Sequence, residues 1–226
     1  MTDNRQIFSM LSTLLGYPDA SLIEALTEIR MAITGHRAFA PTTRLDLIAL
    51  VDRLAARALL DLQEEYVETF DRGRATSLYL FEHVHGESRE RGQAMVDLLA
   101  MYEAKGLFLG SGELPDYLPV FLEFLGQESP TKARSLLAEI ADINRRIATK
   151  LAELGSAYFA VVAALLPLAG EAPLDVAAPA KVVEQAIDGE ALDREWQDEP
   201  VSFLGAPAPV SSQPQPIQFY DKRPPR

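Results

Sequence analysis

From the first residues to Leu166, apolar side chains recur every three or four positions with hardly a break. That spacing places them on one face of a helix, so it constrains the fold more than any single motif does. Behind Asp3, a candidate N-cap with Gln6 three residues on, Ile7, Met10, Leu11, Leu14 and Leu15 form one stripe that ends at Gly16 and Pro18. A second helix is predicted from near Asp19 through Leu22, Leu26, Ile29 and Ile33, closed by Gly35. A long third helix is predicted from Thr43 to Phe70, with Val51, Leu54, Leu62, Tyr66 and Phe70 on one face. It would span about 40 Å. Beyond a glycine break at Gly86, another helix carries Met95, Leu98, Leu99 and Tyr102. The next is expected to start at Pro115, a first-turn proline beside Asp116, and to run through Leu118, Phe121, Leu122 and Leu125. One more is predicted from Ser129 and Pro130 through Leu137, Ile140, Ile147 and Leu151, then a buried helix near Phe159–Leu166 and a weaker one around Val182–Ile187.

No stretch alternates with period two, so no sheet is expected. The fold class is an all-α bundle with short connections, a single domain over residues 1–204 whose end Trp196, Val201 and Phe203 pin down. After Gly205 the sequence becomes "APAPVSSQPQPIQFYDKRPPR". Repeated prolines with few large apolar residues hold neither helix nor core, which predicts a disordered tail over 205–226. The most apolar run, "AYFAVVAALLPLAG" from Ala157 to Gly170, is interrupted by Pro167 and falls short of the ~20 residues of a membrane span. The N-terminus lacks the pattern of a signal peptide. A soluble, cytoplasmic protein is expected.

Charge and composition narrow the function. The formal net charge is -12 over 226 residues, which repels nucleic acid and anionic membranes and favours basic partners. The absence of cysteine rules out disulfides, thiolate metal sites and cysteine nucleophiles.

Chemistry, if present, would concentrate in "LFEHVHGESRERG", Leu80 to Gly92, where His83 and His85 lie near Glu82 and Glu87. On a helix, residues two apart point about 200° away from each other and cannot share a metal. Glu82 and His85 have the Glu-x-x-His spacing of helical di-iron sites, but such a site needs two such motifs and two further glutamates. A metal-dependent hydrolase or oxidase using Glu82, His83 and His85 is therefore the weaker alternative, and no metal is expected. "DRGRATS", Asp71 to Ser77, lacks the phosphate-loop pattern. It reads as a tight turn in which Arg72, Arg74, Arg89 and Arg91 pair with Asp71, Glu82, Glu87 and Glu90. With no catalytic constellation, a binding protein is favoured: a helical peptide laid in an apolar groove and steered by the acidic surface.

The segment "FDRGRATSLYLFEHVHGESRERGQAMVDLLAMYEAKGLFLGSGELPDYLPVFLEFL", Phe70 to Leu125, closely resembles the central block of the NarJ family, assembly chaperones of respiratory nitrate reductase within the wider TorD-like chaperones. "LLGYPDASL" resembles the family's N-terminal segment. The family's Glu-x-Pro-Asp-His motif stands here as Glu113-Leu114-Pro115-Asp116-Tyr117, with tyrosine in place of histidine. Its Tyr-x-x-Leu-Phe motif stands as Tyr66-Val67-Glu68-Thr69-Phe70, with threonine in place of leucine. The resemblance implies an all-helical cytoplasmic chaperone, not an enzyme, that binds the apo catalytic (alpha) subunit of nitrate reductase, including its N-terminal peptide. It would assist insertion of molybdopterin guanine dinucleotide into that client while binding no cofactor stably itself. A chaperone for a different molybdoenzyme is the alternative of the same class. The expected client contacts are Glu113, Asp116, Tyr117 and Phe121, with Glu82 and His83. A monomer that enters no membrane is expected.

Overall fold

The computed structural model describes residues 2–84, 89–110 and 112–175. Among them are nine α-helices, one 3-10 turn and no strand beyond a single isolated bridge. The helices are α1 (Thr2–Leu15), α2 (Ala20–Gly35), α3 (Pro41–Ala55), α4 (Leu59–Phe70), α5 (Arg89–Glu103), α6 (Leu118–Gln127), α7 (Pro130–Glu139), α8 (Ala141–Glu153) and α9 (Phe159–Ala169), with the 3-10 turn Leu80–His83 between α4 and α5. The all-α class is as the periodicity requires. The segments around Val182–Ile187, Trp196, Val201 and Phe203, and the tail 205–226, lie outside the described residues.

The most apolar helix is the centre. α9 buries Ala160, Val161, Val162, Ala164, Leu165, Leu166 and Ala169, and a helix apolar on all sides must be surrounded. It packs against α8, α7, α3 and α1. Pro167 does not interrupt it; α9 runs on to Ala169 and ends at Gly170, whose φ of 91° supplies the left-handed cap. α1 packs along α6, and α2 packs on α3. Local signals hold at several ends: the Asp19 carboxylate accepts from Leu22 N–H at 2.8 Å to start α2, and Ser129 caps α7.

Two long helices expected from the sequence are each broken in two. The first divides at Ala56–Ala58 into α3 and α4. In one continuous helix, residues 53 and 65 would stand about 18 Å apart. Here Arg53 Nη2 reaches Glu65 Oε1 at 2.9 Å, and Arg57 pairs with the same carboxylate. The turn folds α4 back so that Leu62, Tyr66 and Phe70 find a burial site of their own; packing overrides an unbroken periodicity. The second divides at Ile140, which ends α7 and starts α8. A third difference concerns Pro115. It is not in a helix: α6 begins at Leu118, with Pro119 in its first turn.

The α1–α6 contact is close enough to set side-chain size. A β-carbon on Gly126 would lie 3.5 Å from both Cα and O of Arg5, an ordinary contact with nothing to spare. Gly126→Ala is therefore expected to raise stability by up to about 1 kcal/mol, because alanine loses less backbone entropy in a helix. Gly126→Leu should lower it by about 1–3 kcal/mol through overpacking. Urea unfolding of the two variants checks the opposite signs.

Candidate functional site

The two segments singled out in the sequence meet. Leu118 N–H donates to Leu78 O at 2.8 Å, and Leu80 N–H donates to Asp116 O at 2.9 Å. These bonds make Tyr79 and Tyr117 an isolated antiparallel bridge. In that arrangement the bridged pair is the close, non-hydrogen-bonded one, and the two rings lie 5.2 Å apart at 34°. Asp116 completes the joint. Its Oδ2 accepts from Phe81 N–H at 3.0 Å, so one residue satisfies the first two N–H groups of the 3-10 turn from another part of the chain. Tyr102 of α5 is fixed to the same loop, its hydroxyl donating to Pro115 O at 2.7 Å.

Asp116 is 0 % exposed, and its Oδ1 has no hydrogen-bond partner among the described residues. Burial pushes its carboxyl above the usual range, against the opposing pull of Phe81 N–H and the charge of Arg91. The folded protein thus holds this proton more tightly than the unfolded chain. Stability from that proton is full below the ordinary carboxylate pKa and is lost as pH rises through the elevated folded value.

A chain of phenols ties the joint to the helices. Tyr117 and Tyr66 hydroxyls lie 2.7 Å apart, and the Tyr66 hydroxyl donates to Leu15 O at 2.8 Å. With the Tyr66 proton spent on that carbonyl, Tyr117 is the donor of the shared bond. The Tyr66 ring packs on Phe70 at 4.7 Å, and both rings meet Tyr158 edge-on. Burial pushes the Tyr66 phenol well up and the Tyr117 phenol up as well, so both are neutral near neutral pH.

The expected site residues divide by exposure. Tyr117, Asp116 and Phe121 are brought together around the start of α6, with Phe121 buried in the core and Asp116 inside the joint. Glu113 is exposed, and Glu82 and His83 are half-buried on the 3-10 turn. The His83 Nε2 lies 2.8 Å from Ser77 O; a carbonyl only accepts, so Nε2 carries the hydrogen and the ring braces the turn. His85 and Glu87 lie outside the described residues, and among those described no group of three or more His, Cys, Asp or Glu is placed to hold a metal ion. For Arg72 and Arg74 the charge pairing differs from expectation, while the side chains of Glu87, Arg89 and Glu90 lie outside the described structure. Arg72 approaches Glu68 at 3.9 Å, one helical turn back, and not Asp71; Arg74 donates to the backbone O of Glu82 and not to its carboxylate.

The motif residues Tyr66, Phe70 and Tyr117 line a pocket of about 190 Å³ with Tyr17, Asp71, Leu78 and Tyr79. Sequence reasoning missed Tyr17, Asp71 and Tyr79. The one available signal was their position beside helix breakers, since none falls on an apolar stripe. A larger groove of about 580 Å³ runs between α1 and α2, past Met10, Ala25 and Ile29. None of the expected site residues lines it.

The sequence matches the family described as nitrate reductase delta subunit over residues 36–164, a span that contains both motifs and the joint. The chain belongs to that family. It is 44% identical over 197 residues to the nitrate reductase molybdenum cofactor assembly chaperone NarJ of Escherichia coli (strain K12), covering 86% of this chain and 84% of that protein. It is 40% identical over 220 residues to the probable nitrate reductase molybdenum cofactor assembly chaperone NarW of the same strain, covering 96% and 92%. To the probable NarJ chaperone of Bacillus subtilis (strain 168) it is 35% identical over 167 residues, covering 73% and 89%. The family match places Tyr66–Phe70 and Glu113–Tyr117 within its span, and the structure joins them through one hydrogen bond.

The joint generates three stability predictions. Asp116→Asn keeps an oxygen for Phe81 N–H, whereas Asp116→Ala leaves that donor unpaired. Neither carries the charge, so the asparagine variant should be the more stable by about 1–3 kcal/mol at acidic and neutral pH alike. The wild type alone should lose stability relative to Asp116→Asn as pH rises above the ordinary carboxylate range; urea unfolding across a pH series reads both effects. Tyr66→Phe removes the donor to Leu15 O and the acceptor for Tyr117, at an expected cost of about 1–3 kcal/mol, measured by thermal or urea unfolding.

Proposed function

We propose that this protein is an assembly chaperone for respiratory nitrate reductase. It binds the apo catalytic (alpha) subunit, in part through that subunit's N-terminal segment held as a helix. It keeps the client open while molybdopterin guanine dinucleotide is inserted, and then releases it to the membrane partner. The observation that carries this reading is the 44% identity over 86% of the chain to a protein named as a nitrate reductase molybdenum cofactor assembly chaperone. The relatives are named as chaperones and not as enzymes, and the protein is accordingly not an enzyme.

The surface near the joint suits this role. Phe108 is 79 % exposed, and Val84 and Leu114 are also exposed, on the segments that flank the 3-10 turn and the Glu113–Tyr117 loop. Apolar side chains left open to water are what an apolar client segment covers. The net charge of -12 steers a basic one toward it. In this reading Glu113, Tyr117, Glu82 and His83 face the client, while Asp116 and Phe121 hold that face in shape. The chaperone domain spans residues 1–204 with the tail 205–226 as an appendage. It works in the cytoplasm as a monomer, entering no membrane and binding neither nucleic acid nor a cofactor of its own. No described helix is long and apolar enough to cross a membrane.

Isothermal titration of the full chain with the N-terminal peptide of the nitrate reductase catalytic subunit from the same organism should give saturable, one-to-one binding. The affinity should weaken at high salt as charge steering is screened. No heat at high micromolar peptide across several pH values would count decisively against the reading. Peptides from other molybdoenzymes, used as competitors, report whether nitrate reductase is the preferred client.

A further inference from the structure

The pocket between the end of α4 and the joint is electrically one-sided. Tyr17, Tyr66, Phe70, Tyr79 and Tyr117 line it together with Leu78 and Asp71, so aromatic side chains and one carboxylate bound the same space. Ring faces are the negative part of an aromatic quadrupole. Asp71 is also the C-cap of α4, so the negative end of that helix points at the same space. The Tyr66 hydroxyl spends its proton on Leu15 O and Tyr117 spends its own on Tyr66, which leaves no phenol proton from either to meet an anion. Tyr79 stands in the same surroundings: burial pushes its phenol up, and the nearby charges of Asp71, Asp116, Glu82 and Glu113 push in the same direction. The carboxylates, the aromatic rings and the helix end all favour a cation.

No cation of the described protein fills that role. Asp71 makes no ion pair among the described residues, although Arg72 follows it directly; Arg72 turns back to Glu68 and Arg74 to the Glu82 carbonyl. At about 190 Å³ the pocket is smaller than the ~300–1,000 Å³ of small-molecule sites, and is sized for one side chain. Tyr17 is 53 % exposed and sets its ring edge-on to Tyr66 at 5.5 Å, which leaves one wall open to solvent.

We propose that this aromatic pocket is a subsite for one arginine side chain of the bound client segment, its guanidinium stacked on the tyrosine rings and paired with Asp71. A planar guanidinium matches ring faces and a carboxylate together; an ammonium is compact and strongly hydrated, and gains less from stacking. As a client subsite it rests on the chaperone reading. As a pocket for arginine it does not.

Nuclear magnetic resonance of the full chain, with tyrosine ring resonances assigned, tests it using three probes: N-acetyl-arginine amide, its neutral isostere N-acetyl-citrulline amide, and N-acetyl-lysine amide. The arginine probe should shift the Tyr17, Tyr79 and Tyr117 rings saturably, and the other two should shift them much less. Asp71→Asn, an exposed change outside the joint, should weaken arginine binding about two- to fivefold, and Tyr17→Leu by a similar factor. Unmoved rings, equal shifts from citrulline or lysine, or an unchanged affinity in Asp71→Asn would each overturn the subsite. Citrulline replacing arginine in the client peptide should weaken its binding in calorimetry. If the peptide binds but the arginine probe does not, the subsite fails alone. If the arginine probe binds and the peptide does not, the chaperone reading fails and the pocket stands.

Discussion

Two backbone hydrogen bonds, Leu118 N–H to Leu78 O and Leu80 N–H to Asp116 O, organise the candidate site of this helical bundle. The connection between α4 and α5 and the connection between α5 and α6 are separate loops in the sequence. Pairing them fixes the 3-10 turn, the start of α6 and the stacking of Tyr79 on Tyr117 in one step. Asp116 makes the pairing specific. A buried carboxylate with one oxygen unpartnered is costly, and its position is tolerated because Phe81 N–H and the Leu80 N–H would otherwise be orphaned at the head of the turn.

The joint then reaches the helices through phenols and not through charges. Tyr117 hands its proton to Tyr66, and Tyr66 to the end of α1 at Leu15. Because α1 lies along α6, the chain of contacts closes on itself: α6, joint, α4, α1, α6. Displacing the loop at Glu113–Tyr117 would break the Tyr117–Tyr66 hydrogen bond that ties it to α4. Outside it, α9 supplies a scaffold that nothing at the joint touches through a charged contact.

How much of this was legible in the sequence depends on what kind of residue carried the information. Leu22, Leu26, Ile29 and Ile33 announce α2 because helical burial repeats at fixed spacing, and all four are buried. The break at Ala56–Ala58 was invisible because alanine is the best helix former; what bends the chain is the separate burial of Leu62, Tyr66 and Phe70, a tertiary fact, with Arg53 and Arg57 reaching Glu65 across the turn. Pro115 and Asp116 looked like a helix start because both favour one, and the structure uses Asp116 to cap a different element 35 residues away. At the site, Tyr66, Phe70 and Tyr117 were legible through the family resemblance. Tyr17 and Asp71 were not, since each joins the pocket through a turn whose direction no periodicity encodes.

Tyrosine at position 117, where the family pattern has histidine, now has a physical reading. The two motifs meet at that side chain, and whatever stands there must donate to Tyr66, whose own proton is taken by Leu15 O. A phenol does this without changing charge near neutral pH, because burial pushes its pKa further up. An imidazole would also donate, but it would bring a charge that changes near neutral pH beside Asp116 and opposite Asp71. With tyrosine the joint adds no positive charge of its own, and the pocket keeps the negative field of its rings and carboxylates. Tyr117 therefore makes the hydrogen bond that links the motifs and leaves cation binding to an incoming side chain.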